Sequence, residues 1–234
     1  MDRDEAAAST VAILVPVLRR PHRVTPFLEA FAAATPEPHS ILFLATVGDA
    51  MVDVIRGERA RRDNVRLEQL PRNRVGDYAK KINHGYRLTT EPFLFLAADD
   101  LAPRPGWLSA ALALFEDPSI GVVGTQDLAP TDRARSGEHA THSLVRRSYV
   151  DEFGTIDERG KVLHEGYTHE YVDDEFIATA KHRGAFAFAP CSIVEHLHPS
   201  WGKAPMDTLY SGQRRRMIDG RNLFDRRRGL WTSR

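Results

Sequence analysis

The first hundred residues alternate short, almost uninterrupted apolar runs with longer stretches of helical spacing, and this alternation constrains the chain more than any other feature. The runs are residues 10–17 (TVAILVPV), 40–46 (SILFLAT), 65–70 (VRLEQL) and 92–98 (PFLFLAA). All four read as strands, and the first, rich in β-branched residues, as one buried on both faces. Between them, residues 24–34, 50–61 and 77–88 carry apolar residues at helical intervals, with Ala79, Ile82 and Tyr86 on one face. Strands separated by helices of ten or more residues imply βαβ units and a parallel sheet. Ligands of such sheets bind beyond the carboxyl ends of the strands. Three runs end there in polar groups: Arg19 and Arg20 after the first, Asp49 after the second, Asp99 and Asp100 after the fourth.

The second half is less regular. Residues 105–115 read as a helix opened by Pro105 and Gly106 and packed through Trp107, Leu108, Leu112 and Leu114, and residues 120–124 as a strand. The polar, turn-rich stretch 126–142 is expected to be a mobile loop over the site. Helices are expected over 144–153 and 172–183, and a strand over 185–195 that continues into His196-Leu197-His198-Pro199. No repeat, linker or low-complexity tract divides the chain. Its 234 residues therefore read as a single α/β domain, with 1–9 a flexible N-terminus and about 205–234 a basic helical segment.

Charge and cysteine usage narrow the setting. Lys and Arg together number 32, as do Asp and Glu, so overall charge points to no partner. Cys191 is the only cysteine, which excludes an internal disulfide and suits a reducing compartment. No apolar run approaches the roughly 18 residues of a membrane span, and the acidic start before the first apolar run is the wrong order for a signal peptide. A cytoplasmic protein is expected. Charge is uneven, however: from residue 203 onward nine Lys or Arg oppose three Asp. That tail is either a solvated helical face or a patch for phosphates, of a donor or of a nucleic acid.

Four constellations can carry chemistry. Two carboxylates at a strand end, Asp99 and Asp100, repel each other unless a cation or several donors lie between them, and a hard divalent ion with substrate phosphates is the usual solution. A turn or helix cap leading to Pro105 is the plainer reading. His196 and His198, two apart on an extended segment, project to one side and with carboxylate oxygens suit Mn2+; otherwise they are surface histidines before a proline. Asp173, Asp174 and Glu175 open a helix that ends Lys181-His182-Arg183-Gly184. That is a dipole-matched helix in which one acid can also serve as a general base. Lys80 and Lys81, near Asn83 and His84, are either solvated or placed to meet a diphosphate.

In order and context these segments resemble the GT-A glycosyltransferases, especially family 2-like enzymes. The likeness rests on VAILVP (11–16) for the family's opening VxIxxP strand, and on Asn73, Gly76, Asn83 and Gly85 leading to FLFLAADD for the strand that ends in D-x-D. It continues through PRPGWL, through EYVDDEFIATAKHRG (170–184), and through VEHLHPSWGK, whose histidine closes the core. It spans residues 10 to about 205 and is nearest to small bacteriophage and actinobacterial enzymes. The D-x-D is incomplete, because Ala97 and Ala98 precede Asp99-Asp100.

The resemblance implies a GT-A fold with a mostly parallel central sheet flanked by helices. It implies Mn2+ or Mg2+ and a nucleotide-sugar donor, a UDP-sugar first. Transfer would be to an acceptor hydroxyl with inversion, in a host cytoplasm if the gene is a phage's. It places the metal at Asp100, His196 and His198, and the base at Asp174, then Asp173. Donor contacts fall to Pro16, Arg19, Arg20, Asp49, Lys81, Asp99 and Lys203. The acceptor would be a modified DNA base, a virion protein or a cell-surface polymer. A nucleotidyltransferase is the competing enzyme class, but it normally has a Gly-rich loop after the first strand, and PVLRRPHR has no glycine. An inactive nucleotide-sugar-binding module is the non-enzymatic alternative.

Overall fold

The computed structural model of the protein describes residues 10–210 and 212–231; the expected flexible segment 1–9 lies outside them. Strand β1 (Val11–Pro16) shows how the sheet is built. Val11, Ile13 and Val15 belong to one buried cluster, and Ala12 and Leu14 to the other. With a side-chain period of two, a continuous apolar run is what a strand covered on both faces requires. The same division runs through β2 (His39–Thr46), with Ile41 and Phe43 opposed to Leu42 and Leu44. It recurs in β4 (Phe93–Leu96), with Phe95 opposed to Leu94 and Leu96.

The covering helices follow from the connections. α1 (Pro21–Ala34) and α2 (Met51–Arg59) join β1, β2 and β3 (Val65–Leu70) and pack on the first cluster, together with α4 (Trp107–Leu112). α3 (Asp77–Leu88) leads to β4 and covers the opposite face through Ala79, Ile82 and Tyr86. β5 (Leu101–Pro103) follows at once, and β6 (Val122–Gln126), α5 (Asp132–Arg135), β7 (Ser143–Arg146) and α6 (Arg147–Phe153) come after α4. α7 (Val172–His182), β8 (Phe186–His196) and α8 (Gln213–Arg227) complete the order. The strands lie as β3-β2-β1-β4-β7-β6-β8-β5. All are parallel except β7 and β5, which run against their neighbours. This is the expected α/β fold with a mostly parallel sheet flanked by helices.

Two expectations in the second half are corrected, and one strand is added. Residues 126–142 include the short helix α5, whose N-cap Thr131 accepts from the Ala134 N–H, so the stretch is not a bare loop. The helix expected over 144–153 is half strand: Ser143–Arg146 pairs with both β4 and β6 before α6 begins. β5 was not foreseen, since three residues carry no periodicity.

Among the described residues, part of the basic tail is paired within the chain, while Arg214, Arg226 and Arg228 are exposed to solvent. Lys203 meets Glu195, Arg216 meets Glu170, and Arg215 and Arg221 face Asp219 and Asp225 one turn on. Arg227 fastens α8 to α7: its Nε lies 2.7 Å from Glu175 and its Nη2 2.9 Å from Asp157. Tyr167 also donates to Glu175, whose side chain is 3% exposed. Removing the guanidinium strands that carboxylate. Arg227→Ala is therefore expected to cost about 3–5 kcal/mol, read by urea denaturation. The contact with Arg227 also holds the Asp157 carboxyl below its ordinary range. Its contribution is thus complete above the ordinary carboxylate value of about 4 and lost as pH falls through the lower folded value. Asp157→Asn should flatten the decline of Tm on acidification in that range.

Candidate active site

The carboxyl ends of β1 and β4 lie side by side, because the chain leaves β1 toward β2 on one side and returns from β3 to β4 on the other. This reversal of strand order is where open α/β sheets hold ligands. A cleft of about 360 Å3 opens there. Pro16 at the end of β1, Arg20 just beyond it, Lys81 on α3, Asp99 and Asp100 after β4, His196 at the end of β8 and His198 just beyond it all line it.

Arg20 is the electrostatic centre. Its Nη1 lies 2.9 Å from Asp99 and 3.1 Å from Asp100, its Nε 2.8 Å from Asp207, and its plane 4.7 Å from the Tyr210 ring centroid. Tyr210 also donates a 2.5 Å hydrogen bond to Asp100 Oδ2. Burial and the neighbouring Asp100 charge push the Asp99 carboxyl up. Burial would do the same to Asp100, but His196, Tyr210 and Arg20 hold it well below the usual carboxylate range. Expected as a donor-phosphate ligand, Arg20 serves here as counter-ion to the carboxylates.

Of the other residues expected to meet the donor, Pro16, Lys81 and Asp99 line the cleft, whereas Arg19, Asp49 and Lys203 do not. The Arg19 side chain is exposed outside the cleft, and its backbone N–H donates to Asp49. Asp49 also accepts from the Met51 N–H at the start of α2, so its carboxylate is occupied in loop capping away from the cleft. Lys81 is 1% exposed, with Nζ 3.0 Å from the Val17 carbonyl, Thr46 Oγ1 and Asp77. All three ammonium donors are used. Lys203 is outside the cleft, tied to Glu195 at 2.8 Å and to the Leu128 carbonyl. Among the described residues, Arg72 and Arg74, exposed on the loop before α3, line the cleft without an ion-pair partner. Gly76 fixes that loop: its φ of +71° favours glycine, and a Cβ there would meet the Glu165 carbonyl at 2.3 Å.

The expected metal ligands divide. His196 Nε2 is 3.3 Å from Asp100 Oδ1, an ion-pair distance that lacks hydrogen-bond alignment. His198 is committed elsewhere: its Nδ1 accepts from the Ser200 N–H, capping a 3-10 turn, and its ring packs against Trp201 and Tyr210. Three buried atoms in this region have no hydrogen-bond partner: Asp100 Oδ1, His196 Nδ1 and His142 Nε2. A carboxylate oxygen and imidazole nitrogens left unsatisfied around one cleft suit a divalent ion, so the residues fit one.

A second carboxylate pair lies across the cleft at the start of α7. Asp173 lines the cleft, whereas Asp174, the first expectation for the base, lines a neighbouring pocket with Arg133, Lys181 and Phe224. Consecutive residues on a helix point about 100° apart, which separates the two. His139 Nε2 sits 3.3 Å from Asp173, its Nδ1 3.5 Å from Asp174, and Arg133 3.0 Å from Asp174. Among the described residues this is the one group of three possible metal ligands already gathered within 4.8 Å. Arg133 and His139 balance its two acids. Against the burial penalty, contact with His139 lowers the Asp173 carboxyl, while burial and the Asp173 charge raise that of Asp174.

Sequence reasoning missed Tyr210, Arg72, Arg74 and His142. Only the arginines had a local signal, two cations in four residues ahead of a glycine-headed helix.

Residues 12–171 match the profile of the family described as Glycosyl transferase family 2. Among solved structures, a mannosyltransferase from Pyrobaculum calidifontis, in complex with GDP-Man and Mn2+, aligns with a TM-score of 0.61 at 17% identity, over 83% of this chain and 59% of that one. TarS 1-349 of S. aureus aligns with a TM-score of 0.63 at 14% identity, over 79% and 59%. Glucosyl-3-phosphoglycerate synthase from Mycobacterium tuberculosis, with Mn2+, UDP and glucosyl-3-phosphoglycerate, gives 0.60 at 15% identity, over 94% and 80%. The chain thus spans about three fifths of the length of the first two. No curated protein matches it in sequence. At these identities the structural likeness establishes the fold.

The counter-ion role of Arg20 is open to measurement. Arg20→Ala leaves two buried carboxylates facing each other and is expected to cost about 3–5 kcal/mol at neutral pH. The deficit should shrink as pH falls, because protonating Asp99 removes one of the opposed charges. Urea denaturation at neutral and mildly acidic pH reads both effects.

Proposed function

The chain belongs to glycosyl transferase family 2, and on that premise we propose that it moves a sugar from a nucleotide-sugar donor to an acceptor hydroxyl with inversion, as one catalytic domain. One observation carries this reading: a single cleft at the β1/β4 reversal holds a buried, incompletely satisfied Asp100–His196 pair and, separately, the ionised carboxylate of Asp173. Sugar transfer needs those two functions, one at the leaving group and one at the nucleophile.

In this scheme Asp100 and His196 hold a divalent ion, Mn2+ or Mg2+. When bound, it supplies Lewis-acid stabilisation of the charge gathering on the leaving nucleotide diphosphate. Arg72 and Arg74 pair with the phosphates, and Pro16 and the buried Asp99 border the donor. Asp173 takes the proton of the acceptor hydroxyl. That oxygen bonds to the anomeric carbon as the bond to the diphosphate breaks, and the electron pair leaves with the nucleotide. A single base on the face opposite the leaving group is what a one-step inverting displacement requires.

A UDP-sugar is the first donor to test and a GDP-sugar the second. Both nucleotides, and Mn2+, occur in the solved structures of similar fold named above. No helix among the described residues is long and apolar enough to cross a membrane, and the lone Cys191 suits a cytosolic setting.

The test is nucleotide release from UDP- and GDP-sugars in the presence of Mn2+. Asp173→Asn is expected to lower turnover by about 100-fold or more while UDP binding persists, with Asp174→Asn milder. Asp100→Ala should abolish metal-dependent nucleotide binding in calorimetry. Unchanged binding in Asp100→Ala, with no release from any donor, would sink the proposal.

A further inference from the structure

His142 immediately precedes β7, the strand that runs against its neighbours. That direction brings the start of β7 to the rim where the parallel strands β4 and β8 end, beside Asp100 and His196. The residue is held from three sides. Its backbone carbonyl accepts from both the N–H and the Oγ1 of Thr125, at 3.1 and 3.0 Å. Its neighbour Thr141 donates to the buried Asp127 at 2.8 Å. Its own Nδ1 lies 3.0 Å from the Leu96 carbonyl. A carbonyl can only accept, so Nδ1 carries the proton and Nε2 presents a bare lone pair.

That lone pair has no partner, although the side chain is 4% exposed and lines the cleft. A buried acceptor without a donor is costly, and such groups in folded proteins call for an explanation. The His142 ring stands edge-on to His196, with centroids 5.2 Å apart, and His196 reaches Asp100 at 3.3 Å. The bond to Leu96 is also the kind that orients a ligating imidazole, fixing its tautomer and plane.

We propose that His142 supplies a second imidazole to the cation held by Asp100 and His196, making the site selective for a transition ion such as Mn2+ over Mg2+. The inference rests on the metal reading above and extends it to a residue with no sequence signal. Mg2+ prefers oxygen ligands and strict octahedral geometry, whereas imidazole nitrogen suits transition ions. Two imidazoles and one carboxylate therefore bias the choice of metal without excluding a diphosphate from the remaining positions. His142 Nε2 is not among the ligand atoms already gathered within 4.8 Å, so binding includes a rotation of the His196 or Asp100 side chain.

The experiment uses Mn2+ itself, with and without UDP. Wild-type protein, His142→Asn, His142→Gln and His196→Ala are titrated by calorimetry, with Mg2+ as competitor. Electron spin-echo modulation of bound Mn2+ then counts coordinated imidazole nitrogens. His142→Asn keeps an amide N–H in reach of the Leu96 carbonyl, and thermal denaturation checks that it folds. It is expected to bind Mn2+ about tenfold more weakly, to lose most of its preference over Mg2+, and to show one imidazole where the wild type shows two. His142→Gln, whose amide oxygen reaches about as far as Nε2, should recover part of the affinity. Wild-type affinity, selectivity and imidazole count in a folded His142→Asn, with Mn2+ binding lost in His196→Ala, would overturn the inference alone. Absence of Mn2+ binding by the wild type, with UDP or without, would overturn the metal reading and this inference together.

Discussion

Two adjacent carboxylates at the end of a strand buried on both faces form an unfavourable arrangement, and most of the site is organised around how Arg20 offsets it. Isolated buried charges cost several kcal/mol each even after relaxation. A guanidinium with its Nη1 shared between Asp99 and Asp100 and its Nε on Asp207 offsets that cost at one point. The arrangement requires the exits of β1 and β4 to be neighbours, and the sheet order makes them so. It also draws in the segment that carries Asp207 and Tyr210, which would otherwise have little reason to lie over the cleft. A fold-level property and a local charge balance are thus one constraint seen at two scales.

The cleft is assembled from segments far apart in the chain, and strand direction explains how. Parallel strands deliver their C-terminal ends to one rim, placing Arg20, Asp99 and Asp100 there, and His196 at the end of β8. The antiparallel β7 delivers its beginning to the same rim. α7 adds its first turn, where Asp173 faces the cleft and Asp174 does not. One helical step of about 100° separates a residue with access to the cleft from one committed to Arg133.

The parallel half was legible in the sequence because strands covered on both faces must be apolar throughout. The runs that end in Pro16, Thr46 and Leu96 therefore announced themselves, whereas β3, at the sheet edge, is half polar and was read from its position between helices. β7 was not legible: four residues leading straight into a helix carry no period of their own, and pairing with β4 and β6 decides their conformation. The position of His142 depended on that strand, so it was hidden too. Polar residues at strand ends were found by position, but position alone did not reveal their partners. Arg19 and Asp49 meet each other in a loop, Lys81 spends every donor inside the fold, and Lys203 is tied to Glu195. Asp99, Asp100, His196 and Asp173 were singled out from sequence and do line the cleft. What each contributes depends on unsatisfied atoms and contacts that only coordinates display.

On the metal reading proposed above, Arg20 also separates two events that many metalloproteins cannot separate. Where ligands depend on their ion to balance charge, the apoprotein is unfolded and metal supply becomes part of biogenesis. Here the chain carries its own cation against Asp99 and Asp100, so the carboxylates are compensated as soon as β1 and β4 pair. Completion of the fold then needs no bound ion to offset these two carboxylates. A nascent molecule can complete its sheet in a metal-poor cell and acquire an ion later, without having waited for it.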